Sequence, residues 1–367
     1  MKILINASNL KQGGGVQVAD SVCRCLDKHP EHNFVVVLSS ALDATADAIA
    51  GYANVETVRY DVDRSLISLL WGKVKFLDEL VKEKKVLCVL TIFGPSRWKP
   101  KVPHLCGFAR AQILPMSDSP YFAHVPWKEK ILNLFVRRSF RICADNLWTE
   151  NEAISKLLGR VFPQKRIFTV SNNYNQVFDA PESWQAVLLS SFEGTTLLTV
   201  TNAYPHKNLA ISLDIARLLK AQHPEFKFRF VFTIDGSQFP PVEEDLKECF
   251  VFVGTVANAQ CPSLYKVADI MFQPTLIECF TATYAEAMRM NVPIVTSDLS
   301  FARGLCGNAA CYYAPRSAQE AAENIYEVAT NTGLRDKLIA AGHKQLSTFL
   351  TAEERADKLI EAAVSIS

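Results

Sequence analysis

Short apolar runs alternate with amphipathic stretches along the whole chain, and no other feature limits the fold as tightly. Lys2–Asn6, Phe34–Leu38, Val86–Ile92, His104–Phe108, Arg141–Ala144 and Ile167–Ser171 read as strands, several of them apolar on both faces. A second series comprises Thr196–Val200, Phe228–Thr233, Cys249–Val253, Ile270–Gln273, Pro293–Thr296 and Ala310–Tyr312. Between them, Gln17–Lys28, Ser65–Lys84, Lys128–Arg138, Glu150–Gly159, Asn208–Gln222 and Ala318–Thr330 carry apolar residues at helical spacing. A strand that is apolar on both faces needs helices on both sides. The pattern therefore predicts an α/β chain of two doubly wound units with parallel sheets. The polar segment Asn172–Asn175, followed by Phe178-Asp179-Ala180-Pro181, marks the expected join. We expect a first domain over residues 1–172, a second over 173–350 and a closing helix over 351–367.

Composition agrees with this and narrows the function. A chain of 367 residues that is 49% hydrophobic and 21% charged can build two sizeable cores, and it is far from the composition of a disordered chain. The net charge of +1 gives no basis for general nucleic-acid binding. The total hides a split: up to residue 170 there are 24 Lys and Arg against 16 Asp and Glu, and beyond it 15 against 22. The first half is basic and the second acidic. The 10 cysteines include no C-x2-C pair and mostly sit in apolar runs such as Val86–Leu90, which argues against zinc and against a disulfide framework. The N-terminus turns polar at Asn6, unlike a signal peptide, and no window approaches about 18 consecutive apolar residues, so a cytoplasmic location is expected.

Two stretches carry chemistry. The first βα turn, Asn9-Leu10-Lys11-Gln12-Gly13-Gly14-Gly15-Val16, places three glycines where a backbone can approach an anion at a helix N-terminus; a tight turn needing positive φ reads equally well. It is not G-x-G-x-x-G, and the second strand ends Leu38-Ser39-Ser40 with no acidic residue, which disfavours a dinucleotide oxidoreductase. The second stretch runs from Ala268 to Met288. A strand stops at Pro274, a loop carries Glu278, and a helix beginning near Thr281 carries Glu286. Free amides of Thr281, Ala282 and Thr283 would suit a phosphate. Two carboxylates bracketing that site can accept hydrogen bonds from hydroxyls, as a sugar nucleotide presents; the plainer reading is two surface glutamates.

The stretch resembles the E-x7-E signature of the family 4 (group 1) glycosyltransferases, and the likeness extends along nearly the whole chain. Gly13–Gly15 is similar to the family's glycine-rich loop, and Trp148-Thr149-Glu150-Asn151 to its "(T/S)-E" helix start. Val170-Ser171-Asn172-Asn173 resembles the "V-x-N-G" hinge strand, and Leu198-Thr199-Val200 through His206-Lys207-Asn208 the "VGR…KN" segment. Ile234-Asp235-Gly236, Phe252-Val253-Gly254 and Val292–Ser297 resemble "I-x-G", "F-x-G" and "G-x-P-V-V-x-S" strand ends. The resemblance implies a GT-B fold, two Rossmann-like domains facing across a cleft. It implies an acceptor-side first domain, a second domain that binds the sugar nucleotide, and a final helix reaching back to the first. Glu278 and Lys207 would be catalytic, the one holding donor-sugar hydroxyls and the other neutralising the diphosphate. Glu286 would bind the ribose, and Thr281, Ala282, Thr283, Asn202, Gly14 and Gly15 would line the donor site. The implied activity is retaining transfer of a hexosyl group to a glycan or polyprenyl-diphosphate-linked acceptor, in cell-surface polysaccharide biosynthesis. No cofactor or metal is called for, because Lys207 and helix amides supply the countercharge.

The sequence departs from the family pattern at three places. The family's Arg five residues before the Lys is Asn202, and the Gly of "E-x-F-G" is Thr281. The family's first-domain His falls on or near Ala109, leaving Arg110 and His104 as acceptor-side candidates. These departures keep two alternatives in view: a GT-B sugar-nucleotide epimerase or hydrolase, and a degenerate partner-binding subunit. Asp61-Val62-Asp63 spells a metal-binding D-x-D but stands in a polar loop without phosphate-binding context, and reads as chance. Lys128–Ile142 places Lys130, Arg137 and Arg141 on one helical face and Ile131, Leu132, Leu134 and Phe135 on the apolar side. It reads either as a core helix leading into strand Arg141–Ala144 or as a helix lying on an anionic membrane, with Lys73, Lys75, Lys82, Lys84 and Lys85 adding to a basic surface.

Overall fold

A computed structural model describes residues 1–11, 13–62 and 74–367. The chain folds as two compact units. One comprises Met1–Met116, Val125–Asn172 and Leu350–Ser367, the other Ser117–His124 and Asn173–Phe349. The sequence reading assigned all of residues 1–172 to the first domain. Ser117–His124 goes instead with the second unit, because its polar groups bond there: Asp118 Oδ2 accepts from Ser300 N at 2.7 Å, and Arg316 Nη2 donates to the Pro120 carbonyl at 3.3 Å.

In the first unit, strands β1 (Lys2–Ala7), β2 (Asn33–Leu38), β3 (Val55–Arg59), β4 (Cys88–Thr91), β5 (His104–Gly107), β6 (Asn146–Thr149) and β7 (Ile167–Thr169) form a parallel sheet in the order β3-β2-β1-β4-β5-β6-β7. Its described helices are α1 (Gly14–Cys23), α2 (Asp43–Ile49), α3 (Lys75–Lys84), α4 (Trp127–Cys143), α5 (Glu152–Val161) and α12 (Ala352–Val364). Apolar side chains leave both faces of β1 and β2. Ile3, Ile5 and Val36 pack with α1 and α12 in one layer, and Leu4, Val35 and Val37 with α3 in the other. That two-sided burial is what the continuous apolar runs required.

Two strand assignments need correcting. Arg141–Ala144 is not a strand: Arg141–Cys143 closes α4, where Cys143 continues the buried stripe of Val136, Ser139 and Phe140. The strand follows at Asn146–Thr149. Val55–Arg59 is an edge strand that the apolar pattern missed, because Glu56 and Arg59 alternate with half-buried Val55 and Val58. Part of the predicted stretch Ser65–Lys84, Lys73 of the basic cluster and Asp63 of the D-x-D tripeptide lie outside the described residues. Asp61 pairs with Lys11 at 2.9 Å.

In the second unit, β8 (Thr195–Thr199), β9 (Phe228–Phe232), β10 (Phe250–Phe252), β11 (Ile270–Gln273), β12 (Ile294–Ser297) and β13 (Ala310–Tyr313) form a parallel sheet ordered β10-β9-β8-β11-β12-β13. The helices are α6 (Ile211–Gln222), α7 (Cys261–Lys266), α8 (Ala282–Arg289), α9 (Ser300–Cys306), α10 (Ala318–Thr330) and α11 (Thr332–Leu346). Phe230, Phe232 and Phe250 stack in its core, and Phe272 meets Phe230 edge-on. Strand order reverses between β8 and β11, so the loops after these two strands diverge and leave room between them. None of the ten cysteines forms a disulfide, and nine of them are buried. Among the described residues no helix is long and apolar enough to cross a membrane.

Helix α12 is fastened within the first unit by a buried cation. Arg355 donates from Nη1 to Asn172 Oδ1 and from Nη2 to Ser21 Oγ at 2.7 Å. Burial pushes the Glu150 carboxyl up to about 7, against the opposing pull of the nearby Arg355 charge and a hydrogen bond from Asn172. Removing one partner of such a buried cluster strands the others without water. Arg355→Ala is expected to lower unfolding free energy by roughly 3 kcal/mol. Denaturant titration followed by circular dichroism measures this, and a loss of less than about 1 kcal/mol would show that the cluster holds little.

Candidate active site

The site grows from the two loops at the reversal point of the second sheet. After β8 the chain makes a tight turn at Pro205–Lys207 and places Asn208 at φ 53, which turns Lys207 back over the strand ends. After β11 comes Pro274 and then Thr275, which is completely buried. The loops are stitched together through backbone: Leu276 N–H donates to the His206 carbonyl at 2.8 Å, and Thr275 Oγ1 donates to the same carbonyl at 3.3 Å.

That stitching brings together the two residues assigned to catalysis from sequence. Lys207 Nζ donates to Glu278 Oε1, and only 14% and 13% of their side-chain surfaces remain exposed. Thr275 Oγ1 lies 3.2 Å from the same carboxylate oxygen and orients it. A charge pair this far from water needs such additional bonds to offset desolvation. Thr275 was not singled out in the sequence, where a lone threonine after a proline carries no signal.

Helix α8 begins immediately afterwards. Thr281, at its N-cap, has extended backbone and does not cap the turn; its hydroxyl pairs instead with Thr283 Oγ1 at 2.9 Å. The amides of the first turn, from Ala282 and Thr283 onward, therefore keep their intrinsic affinity for an anion. One turn further on, Glu286 is buried and its Oε2 accepts a hydrogen bond from Tyr265 of α7 at 3.0 Å. Burial raises its carboxyl to about 7, with the Tyr265 bond pulling the other way. Glu286 is thus no surface glutamate. Tyr265 itself was missed in the sequence, since it sits in another helix.

Two more groups lie near the pair. His206 stacks on Tyr204 at 5.7 Å and takes the edge of Tyr121 at 6.1 Å. Ser119 Oγ donates to the Leu276 carbonyl at 2.6 Å, so Ser117–His124 braces the loop that carries Glu278. Among the described residues, the amide nitrogens Asn208 Nδ2 and Gln273 Nε2 are buried without a hydrogen-bond partner. Asn202 is exposed, and its backbone carbonyl takes bonds from Tyr204 N and Thr201 Oγ1.

The remaining candidates stand in the first unit. Gly13 has φ 75, a conformation that favours glycine, and starts α1 without a side-chain cap; a Cβ at Gly14 would meet nothing, whereas one at Gly15 would press on Leu10 at 3.2 Å. Gly14 therefore opens the turn and Gly15 packs it. Arg110 is half-buried at the start of the turn Ala111–Ile113. His104 is corrected: it has no exposed surface, its ring lies between Thr91 Oγ1 at 2.8 Å and the Cys143 carbonyl at 2.5 Å, and burial lowers it to about 4. It is a neutral core group bridging β4 and the end of α4 and cannot meet an acceptor. No group of three or more His, Cys, Asp and Glu side chains is gathered as a metal site among the described residues.

Comparison with known proteins places the fold. Residues 194–331 match the family model of the glycosyl transferases group 1. Sucrose-phosphate synthase from Thermosynechococcus elongatus superposes with a TM-score of 0.74 at 14% identity, covering 99% of this chain and 98% of that one. A glycosyltransferase from Rickettsia africae ESF-5 gives 0.70 at 14% identity over 100% and 98%. Anabaena Alr3699/HepE, in complex with UDP and glucose, gives 0.68 at 15% identity over 99% of both chains. A search of curated protein sequences returns no match. The chain has the GT-B fold, and residues 194–331 of its second unit, which carry Lys207, Glu278 and Glu286, are similar to the group 1 glycosyltransferases.

Proposed function

We propose that this chain is a retaining hexosyltransferase of family 4 type. It would move a sugar from a nucleotide-sugar donor to a glycan or polyprenyl-diphosphate-linked acceptor in cell-surface polysaccharide assembly, at the cytoplasmic face of the membrane. One observation carries the reading: the half-buried Lys207–Glu278 pair stands directly before the uncapped first turn of α8, whose next turn presents Glu286. Glu278, the row of amides and Glu286 follow one another in the order in which a sugar nucleotide offers sugar, diphosphate and ribose, with the Lys207 cation beside Glu278. The unpartnered amides of Asn208 and Gln273 support it, because a buried donor costs about 1–3 kcal/mol until an acceptor arrives. UDP-glucose is the first donor to test, since Alr3699/HepE is similar in fold and holds UDP and glucose.

The chemistry follows from charge. As the glycosidic bond breaks, negative charge grows on the departing diphosphate, and Lys207 with the α8 amides stabilises it where water is scarce. The diphosphate oxygen takes the acceptor's proton on the same face, so configuration is retained without a covalent enzyme intermediate. Glu278 holds the sugar hydroxyls while Lys207 neutralises its charge. Because Lys207, amides and hydroxyl contacts supply the countercharge, this reading calls on no metal or other cofactor.

Lys207→Ala should lower kcat by about a hundredfold or more with a small change in KM, measured by release of nucleoside diphosphate. Undiminished kcat would take Lys207 away from the leaving group. Product analysis by mass spectrometry separates transfer from hydrolysis or epimerisation, which would consume donor without acceptor. Glu286→Ala should weaken donor binding in calorimetry, and wild-type affinity would overturn the ribose assignment. The pH dependence has a definite sign. The ionised carboxylate is the better acceptor for ribose hydroxyls, and the raised value near 7 means that Glu286 gains a proton as pH falls. Donor affinity should drop roughly tenfold from pH 8 to pH 6 in the wild type, and Glu286→Gln should flatten that slope.

A further inference from the structure

Helix α4 has two unlike faces. Val136, Ser139, Phe140 and Cys143 are buried, and Phe140 packs on Phe108 at 5.0 Å. The opposite stripe, at i, i+4, i+7, i+11 and i+14, reads Trp127, Ile131, Leu134, Arg138 and Arg141. Trp127 is 67% exposed, Leu134 66% and Ile131 43%. Large apolar side chains this open, grouped on one stripe, mark an interaction surface. Lys128, Lys130 and Arg137 flank the stripe, and the helix contains a single acidic residue, Glu129, which is half-buried. Among the described residues none of these five cations forms an ion pair, whereas Lys11, Arg24, Lys28 and Arg59 in the same unit all do.

We propose that the outward face of α4 docks this chain on an anionic lipid bilayer. Trp127, Ile131 and Leu134 enter the headgroup–acyl boundary, and Lys130, Arg138 and Arg141 lie among lipid phosphates. Two features select a bilayer over an acidic protein. Lys128, Lys130 and Arg137 flank the apolar stripe and Arg138 and Arg141 close it, which suits a helix that buries apolar side chains among anionic headgroups. A tryptophan at the helix start, with Lys128 Nζ 5.7 Å from its ring centre, has an apolar body and a polar rim suited to headgroup depth. The proposal deepens the acceptor reading above, since a polyprenyl-linked acceptor is confined to that plane. Its test nevertheless uses neither donor nor acceptor.

The experiment is co-sedimentation of the full chain with phosphatidylcholine vesicles, with and without phosphatidylglycerol, at low and high salt. Wild type should bind only the anionic vesicles and lose binding as salt rises. Trp127→Ser/Leu134→Gln and Arg138→Glu/Arg141→Glu should each bind the anionic vesicles roughly tenfold more weakly. Their circular dichroism and melting midpoints should match wild type, because these side chains face outward. Both variants binding like wild type would overturn the proposal, as would wild type binding neither vesicle. A wild-type dimer that the Trp127→Ser/Leu134→Gln variant abolishes would also overturn it, in favour of a second copy on this face. Vesicle binding that survives while nucleotide binding fails would remove the proposed function and leave this surface standing.

Discussion

The pairing of Lys207 with Glu278 is the interaction on which the proposed chemistry of the second unit rests, and it depends on sheet topology. The two residues are far apart in the chain and meet because β8 and β11 are neighbours at the point where strand order reverses. A different order would separate the loops. Stability alone does not explain such a pair, since burying two charges commonly costs as much as their attraction returns. Here the surroundings are arranged to hold it: the Thr275 hydroxyl stands within reach of both the carboxylate and the His206 carbonyl, and the Leu276 N–H bond to that carbonyl fixes the loops relative to one another. That much local structure around one ion pair is what a site needs when a leaving group must find its countercharge already in place.

Much of the architecture was legible because strands buried on both faces leave a dense signature. Phe228–Phe232 and Ile270–Gln273 could hardly be anything else. The failures have physical causes. Val55–Arg59 is an edge strand with one wet face, so its pattern is diluted by Glu56 and Arg59. Arg141–Ala144 imitated a strand because the final turn of a long helix buries Cys143 while its neighbours are mixed. Asn146–Thr149 was concealed because polar Asn146 and Thr149 enclose only two apolar residues, Leu147 and Trp148.

The candidate site divides along the same line. Lys207, Glu278 and Glu286 were visible through their likeness to a family pattern, which records proximity in three dimensions that spacing alone does not. Thr275 and Tyr265 complete the bonding of those glutamates but carry no pattern of their own. His104 shows the opposite error. A histidine at a strand start looks available for chemistry, yet the parallel sheet buries it between Thr91 and the Cys143 carbonyl. Ser117–His124 was assigned by its place in the chain, although its hydrogen bonds tie it to Leu276 and Ser300.

The charge split acquires a local meaning at this site. On the proposed function, an acidic half would hold an anionic donor against its own field, and Asn202 removes one cation that the family pattern would supply. Lys207 shares its charge with Glu278, so before reaction it offsets only part of that loss. In the proposed complex the remaining attraction comes from groups without net charge: the first-turn amides of α8 and its dipole, aided by the unpartnered amides of Asn208 and Gln273. Burial of Glu286 works in the same direction. A carboxyl raised to about 7 carries its negative charge only part of the time near neutrality, which lessens repulsion of an incoming diphosphate. Once a ribose hydroxyl is bound, the ionised form gains a donor and is favoured. The site can thus be nearly neutral when empty and charged when filled, reconciling an anionic ligand with an acidic unit.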